Sequence, residues 1–179
     1  MEDIIYGNLN KNLQCIMGKI VTSAELVKFL WYKDMDKDIL SLPNLSGRDV
    51  MSLTRGDTAK IFPYKKIPQS DEDFNCYISM EYGVVRRQIT SRGSNIGKYY
   101  KQLIVNIYII VPQTLEVTEN GSRLLALEQC IENVFHGQEL KAIGQCYVGD
   151  SQPLPCPDGY LGRGIPLIFA DTNEVSWNG

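Results

Sequence analysis

His136 is the one histidine in the chain, so any nucleophile–imidazole pair would have to use it. It ends the stretch RLLALEQCIENVFHG, where a partly charged imidazole suits the negative end of a helix dipole. A helix-end role therefore outweighs a catalytic one. Five cysteines are present: Cys15, Cys76, Cys130, Cys146 and Cys156. Their number is odd, their spacings are wide, and no C-x-x-C pair occurs. That argues against a zinc site and against a secreted disulfide framework. Free thiols in a protein made in a reducing cytoplasm are expected. Asp71, Glu72 and Asp73 could attract a cation, but three adjacent carboxylates more often form a solvated loop. TRGDTAK, residues 54–60, contains an Arg-Gly-Asp tripeptide, which reads as a turn with Gly56 at its tip. GYLGRG has glycines in loose phosphate-loop spacing, but it precedes a strand and so lacks a helix N-terminus to hold an anion. No catalytic, cofactor-binding or metal-ligating set emerges from these residues.

One charge feature remains. Between Glu81 and Glu116 there is no Asp or Glu, while the interval holds Arg86, Arg87, Arg92, Lys98 and Lys101. Such a run can solubilise a surface, or it can meet a polyanion or an acidic partner. The bulk charge of -3 does not advertise nucleic-acid binding, so any such contact would be local. Arg92 and Lys98 bracket the loop SRGSNIGK and are the strongest candidates within the set.

The elements that would position these cations are legible. LIVNIYIIV, residues 103–111, is too short for a membrane helix, which needs about 20 apolar residues. Ile104, Val105, Ile107, Ile109, Ile110 and Val111 are β-branched and favour a pleated surface. In a strand, Leu103, Val105, Ile107, Ile109 and Val111 share one fully apolar face. Pro112 ends the run. FNCYISMEYGVVRRQIT reads as its antiparallel partner across the SRGSNIGK loop. The long hairpin would therefore carry the positive charge to one end of the molecule.

A helix follows. Leu124, Leu127, Ile131, Val134 and Phe135 recur at spacings of three and four. Asn120 or Ser122 can cap its start, and Gly137 marks its stop. Its stripe can cover the apolar face of the strand. KAIGQCYVG and RGIPLIFAD give two further strands. Pro166 places the second at an edge, or turns its missing donor away from the ladder. Upstream, Leu9, Leu13, Ile16 and Ile20 mark one helix, and Leu26, Phe29 and Leu30 mark another capped by Ser23. The stretch from Met35 to Asp73 reads as loop with one short helix.

A length of 179 residues and an apolar fraction of 44% suit one soluble globular unit. The N-terminus lacks the basic and apolar regions of a secretory signal. The expected fold is α+β: a mixed, mainly antiparallel sheet with a long hairpin, one helix packed on the sheet, and an N-terminal helical segment. Residues 1–73 read as helices and a long loop packed on the main domain, and residues 74–179 as the α+β core.

The tract YYKQLIVNIYIIVP, then NGSRLLALEQCIENVF, then AIGQCYVGDSQPLPCPDGYLGRGIPLIFAD resembles the core of tailed-phage tail terminator and tail-completion proteins. The resemblance covers roughly residues 74–171 and lies in the plan of hairpin, helix and two closing strands. It implies a structural virion protein, with no enzymatic activity, that forms a ring, usually of six copies. Such a ring ends the tail tube and joins it to the head connector. Its partners would be its own copies, tube or sheath proteins, connector proteins, and genomic DNA passing through the lumen. No membrane contact is implied. The other readings are a different neck or tail part (a stopper, tube subunit or sheath-end protein), a small metal-dependent hydrolase or nuclease, and a cellular adaptor domain.

Overall fold

β-Branched residues dominate 103–111, and this run becomes the spine of the fold. The structure is a computed structural model that describes residues 2–69, 74–83, 86–90, 98–140 and 143–171. Its elements run α1 (Glu2–Thr22), α2 (Ala24–Trp31), a 3-10 turn (Ile39–Ser41), α3 (Gly47–Ser52), β1 (Ile61–Phe62), β2 (Tyr77–Tyr82), β3 (Arg86–Thr90) and β4 (Lys98–Pro112). A second 3-10 turn (Gln113–Leu115) follows, then β5 (Val117–Thr118), β6 (Gly121–Ser122), α4 (Arg123–Phe135), β7 (Glu139–Leu140), β8 (Gly144–Val148), β9 (Gln152–Pro153) and β10 (Tyr160–Asp171). The main sheet has the order β1-β2-β4-β10-β8-β7, with β3 added to β4 and β9 to β10. All pairings are antiparallel except β1 with β2. The α+β expectation, with a mainly antiparallel sheet built on a long hairpin, holds.

β4 extends for 15 residues, roughly 50 Å of strand. Its period-two pattern decides what each face meets. Leu103, Val105, Ile107, Ile109 and Val111 are buried in the main core with Ile165, Leu167 and Phe169 of β10. α4 covers this face with Leu124, Leu127, Ile131 and Phe135, and α1 and α2 add Leu13, Ile16, Ile20, Leu26, Phe29 and Leu30 to the same core. On the reverse face Ile104, Asn106 and Tyr108 are half-buried, while Ile110 packs with Phe62, Tyr77 and Tyr160.

Capping follows side-chain chemistry. Ser23 Oγ accepts the Leu26 N–H at 3.3 Å, and Ser122 Oγ accepts the Leu125 N–H at 3.1 Å. Asn120, the alternative cap for α4, instead accepts the Ile39 N–H at 2.9 Å and donates to Asp38. Gly137 has φ 73°, where a side chain would be strained, and it stops α4 as expected.

Two features go beyond the sequence reading. The segment before residue 74 donates β1, which pairs parallel with β2 through Ile61↔Ile78 and Phe62↔Ser79. β10 is an interior strand despite Pro166. β4 pairs with its full length, while its other side meets β8 at residues 167–170 and β9 at 163–164. The Pro166 carbonyl accepts the Gly149 N–H at 2.9 Å on that second side. In an antiparallel ladder a residue's N–H and C=O point the same way. The missing donor of Pro166 thus faces the break between β8 and β9 and removes no bond to β4.

All five cysteines are free; Cys76, Cys130 and Cys146 are buried, and Cys15 and Cys156 are half-buried. A thiol reagent is expected to label Cys15 and Cys156 readily in the native protein and all five in urea. Slower reaction is expected at Cys156, whose thiol is pushed up by burial. Fast native labelling of all five would contradict this core.

Candidate functional site

Backbone register brings the basic residues together. β2 pairs with residues 105–110 of β4. β3 continues along the same strand from Arg86↔Gln102 through Arg87↔Lys101 to Thr90↔Lys98. At the join, the Gly83 N–H donates to the Ile104 carbonyl at 2.8 Å. A Cβ at Gly83 would stand 3.0 Å from the Ile104 side chain, so glycine lets the chain stay close to β4. Arg86, Arg87, Lys98 and Lys101 therefore lie together along the paired β3 and β4. β10 follows β4 as far as Asp171↔Lys101, and Lys98, Tyr99 and Tyr100 pair with β3 alone among the described residues. Arg92 lies outside the described residues.

A polar network on the reverse face was not foreseen. The Tyr108 hydroxyl donates to Glu81 Oε2 at 2.8 Å. Lys65 Nζ lies 3.6 Å from the same oxygen and 4.8 Å from the centre of the Tyr108 ring. Burial, followed by the Glu81 carboxylate, pushes the Tyr108 phenol up. Its sequence signal was the mixed face Ile104, Asn106, Tyr108, Ile110; its partners come from strand pairing and from a loop residue, which periodicity does not reveal.

The other reactive residues fall into structural positions. His136 is the C-cap of α4: its N–H donates to the Glu132 carbonyl at 2.8 Å, and its Nδ1 accepts the Val148 N–H at 3.4 Å. Gly56 has φ 76° in an exposed turn, as the tripeptide reading requires. Gly162 and Gly164 lie within β10, where a Cβ on Gly162 would stand 2.5 Å from Cys156 Sγ. Gly162 thus admits the 154–156 loop onto the sheet, while a Cβ on Gly164 would stand 3.4 Å from the Tyr108 ring. Asp71, Glu72 and Asp73 lie outside the described residues. Glu128, Glu132, Asp150 and Ser151 line a cleft of about 400 Å³. There Arg163 Nε lies 3.7 Å from Glu128 Oε2, and Arg163 Nη1 donates to Ser151 Oγ at 3.2 Å. Among the described residues no three His, Cys, Asp or Glu side chains converge as a metal-ligand set. No described helix is long and apolar enough to cross a membrane.

Buried cations instead perform a structural task at the end of α2. A helix leaves its last carbonyls without internal partners. Lys28 O receives the Tyr32 N–H at 2.9 Å, Phe29 O receives Arg123 Nη1 at 2.9 Å, and Leu30 O receives Lys60 Nζ at 2.7 Å. Arg123 also donates to Leu115 O, Tyr32 O and Asp34 O. Desolvation pulls the Lys60 ammonium down to about 8, and the nearby Cys76 partly opposes that shift. The sequence held no clear sign of this role, because the partners of Arg123 and Lys60 are backbone carbonyls.

These features define an α+β protein built on a long, mainly antiparallel sheet, with four basic residues along the paired β3 and β4. The chain belongs to the YomW family, whose model matches residues 23–169; the family is phage-associated. A comparison with curated proteins gives no match. Among solved structures, the chain is similar to a component described as "Virion of native gene transfer agent (GTA) particle". The identity is 12% over 67% of this chain and 87% of that one, with a TM-score of 0.35. A likeness of that strength leaves fold and role to be argued from the chain itself.

Proposed function

We propose that the protein is a structural, non-catalytic part of a tailed-phage virion that forms a ring at the head–tail junction. The ring ends the tail tube and joins it to the head connector. The observation that carries this reading is the basic β3–β4 ribbon, which gathers four cations along two paired strands. Membership of a phage-associated family supports the setting. In this reading residues 74–179 are the ring-building core, and residues 1–73 pack on it. Six copies close by head-to-tail contacts, the closure open to a cyclic array. The ribbon then points to the ring face or the lumen, with tube or sheath proteins on one side and connector proteins on the other. DNA crosses the lumen transiently. The chain is made in the host cytoplasm and resides in the virion.

The test is particle imaging. Phage lacking this chain are expected to yield filled heads and tails that fail to join, and the purified chain to form short closed rings. Complementation with Arg92→Glu combined with Lys98→Glu should give folded rings that join particles poorly. Normal joining without the chain would overturn the junction role. Labelling along the whole tube would identify a tube subunit instead.

A further inference from the structure

The two long edges of the main sheet are unlike. On one side, the outward groups of β8 are occupied. Gly137 N–H donates to Cys146 O at 2.9 Å, Cys146 N–H to Gln138 O at 2.8 Å, and Val148 N–H to His136 Nδ1 at 3.4 Å. The turn after α4 thus closes that edge. On the other side, β1 covers β2, and Ile78 N–H donates to Lys60 O at 2.8 Å. Among the described residues β1, β3, β7 and β9 each have one strand neighbour in this sheet, and β3, at five residues, is the longest of them.

We propose that the free edge of β3 takes an extended acidic segment of a second protein as an added strand. Three observations converge on that occupant. A strand paired on one side presents a row of outward N–H and C=O groups, which an extended peptide satisfies in full. Arg86 and Arg87 lie in β3 itself, Lys98 and Lys101 lie in the strand it pairs with, and residues 82–115 contain no carboxylate. A second copy of this chain fits poorly. Pairing β3 with β3 would place like charges in one ladder, the β8 edge is already closed, and the other one-sided strands, β1, β7 and β9, offer only two residues each. DNA would meet the cations but leave the backbone row unfilled, and the net charge of -3 opposes it. The inference holds wherever in a particle the chain resides.

The same cations could instead guard the edge against any pairing, as charged edge strands often do. Titration calorimetry on the full chain separates these cases. The probes are a short peptide of alternating valine and glutamate, a peptide of the same charge interrupted by prolines, and a DNA duplex. The alternating peptide is expected to bind, and the proline peptide to bind at least about tenfold more weakly, since proline cannot supply the ladder donors. Arg86→Glu with Arg87→Glu should weaken binding by a similar factor, as should Lys98→Glu with Lys101→Glu, each with an unchanged circular dichroism spectrum. Should either variant misfold, the peptide comparison on the parent chain decides alone. Equal binding of both peptides, no binding of either, or binding of the duplex in their place would overturn the proposal.

Discussion

Replacing Arg123 with methionine is expected to remove a large share of the stability of the protein. The side chain is fully buried. Its Nε donates to Leu115 O at 2.8 Å, Nη1 to Phe29 O at 2.9 Å and to Tyr32 O, and Nη2 to Asp34 O at 3.0 Å. Burial pushes the guanidinium down from its ordinary value, yet arginine stays charged in proteins. Methionine keeps an unbranched apolar stem and supplies no donor. Phe29 and Tyr32 then lose the partner that closes the end of α2, and Leu115 and Asp34 lose theirs. A buried polar group left unsatisfied costs about 1–3 kcal/mol, and groups that share one partner do not add simply. A loss of about 4 kcal/mol or more is expected, against a total of roughly 5–15 kcal/mol. Arg123→Lys should fall between, because one ammonium cannot span four carbonyls. Urea melts of the three proteins measure this. A methionine variant within about 1 kcal/mol of the parent would show that the carbonyls find other donors.

This site also shows where sequence reading stops. Periodicity made β4, α4 and the two N-terminal helices legible, since each buries one continuous face: Leu103 to Val111 in steps of two, Leu124 to Phe135 in steps of three and four. The hairpin was legible because a polar, glycine-bearing loop separates two strand-like runs. β1 was not legible, because two residues carry no period, and its pairing with β2 depends on where the preceding loop travels. The interior position of β10 was hidden by Pro166, whose tolerance depends on a break in the neighbouring strand. Arg123 and Lys60 were hidden for a related reason. Their partners are carbonyls of residues 29–34 and 115, and a backbone carbonyl leaves no mark in the sequence. The charge on the ribbon was visible as an interval without acids, and strand register then placed four of its five residues together.

Stability is expected to rise slightly from pH 8 to 9 and then to fall steeply towards pH 11. Burial pushes the thiols of Cys76 and Cys130 up to about 11 and that of Cys146 up to about 12, from an ordinary 9.0. Above pH 9 the unfolded chain releases these three protons while the folded chain keeps them. The folded state is therefore progressively disfavoured as pH rises. Lys60 acts in the opposite sense. Its folded value near 8 lies below the ordinary 10.5, so the unfolded chain binds the extra proton between these limits and stability rises there. Between pH 9 and 10.5, three thiols against one lysine leave a net two protons, or about 3 kcal/mol lost per pH unit. Above 10.5 the lysine no longer compensates, and the slope steepens to about 4 kcal/mol per unit. Tyr82, raised by burial to about 12, adds in the same direction. The accumulated loss by pH 11 is about 6 kcal/mol, enough to unfold a domain at the low end of the ordinary range of roughly 5–15 kcal/mol. Urea midpoints taken at intervals from pH 7.5 to 11 in the presence of a reductant give the curve. Cys146→Ala should remove one proton from the slope above pH 9, whatever the packing change does to the overall level. A flat profile across that range, or an unchanged slope in the alanine variant, would mean that these thiols are solvated and that the core beneath β4 and β8 is not closed.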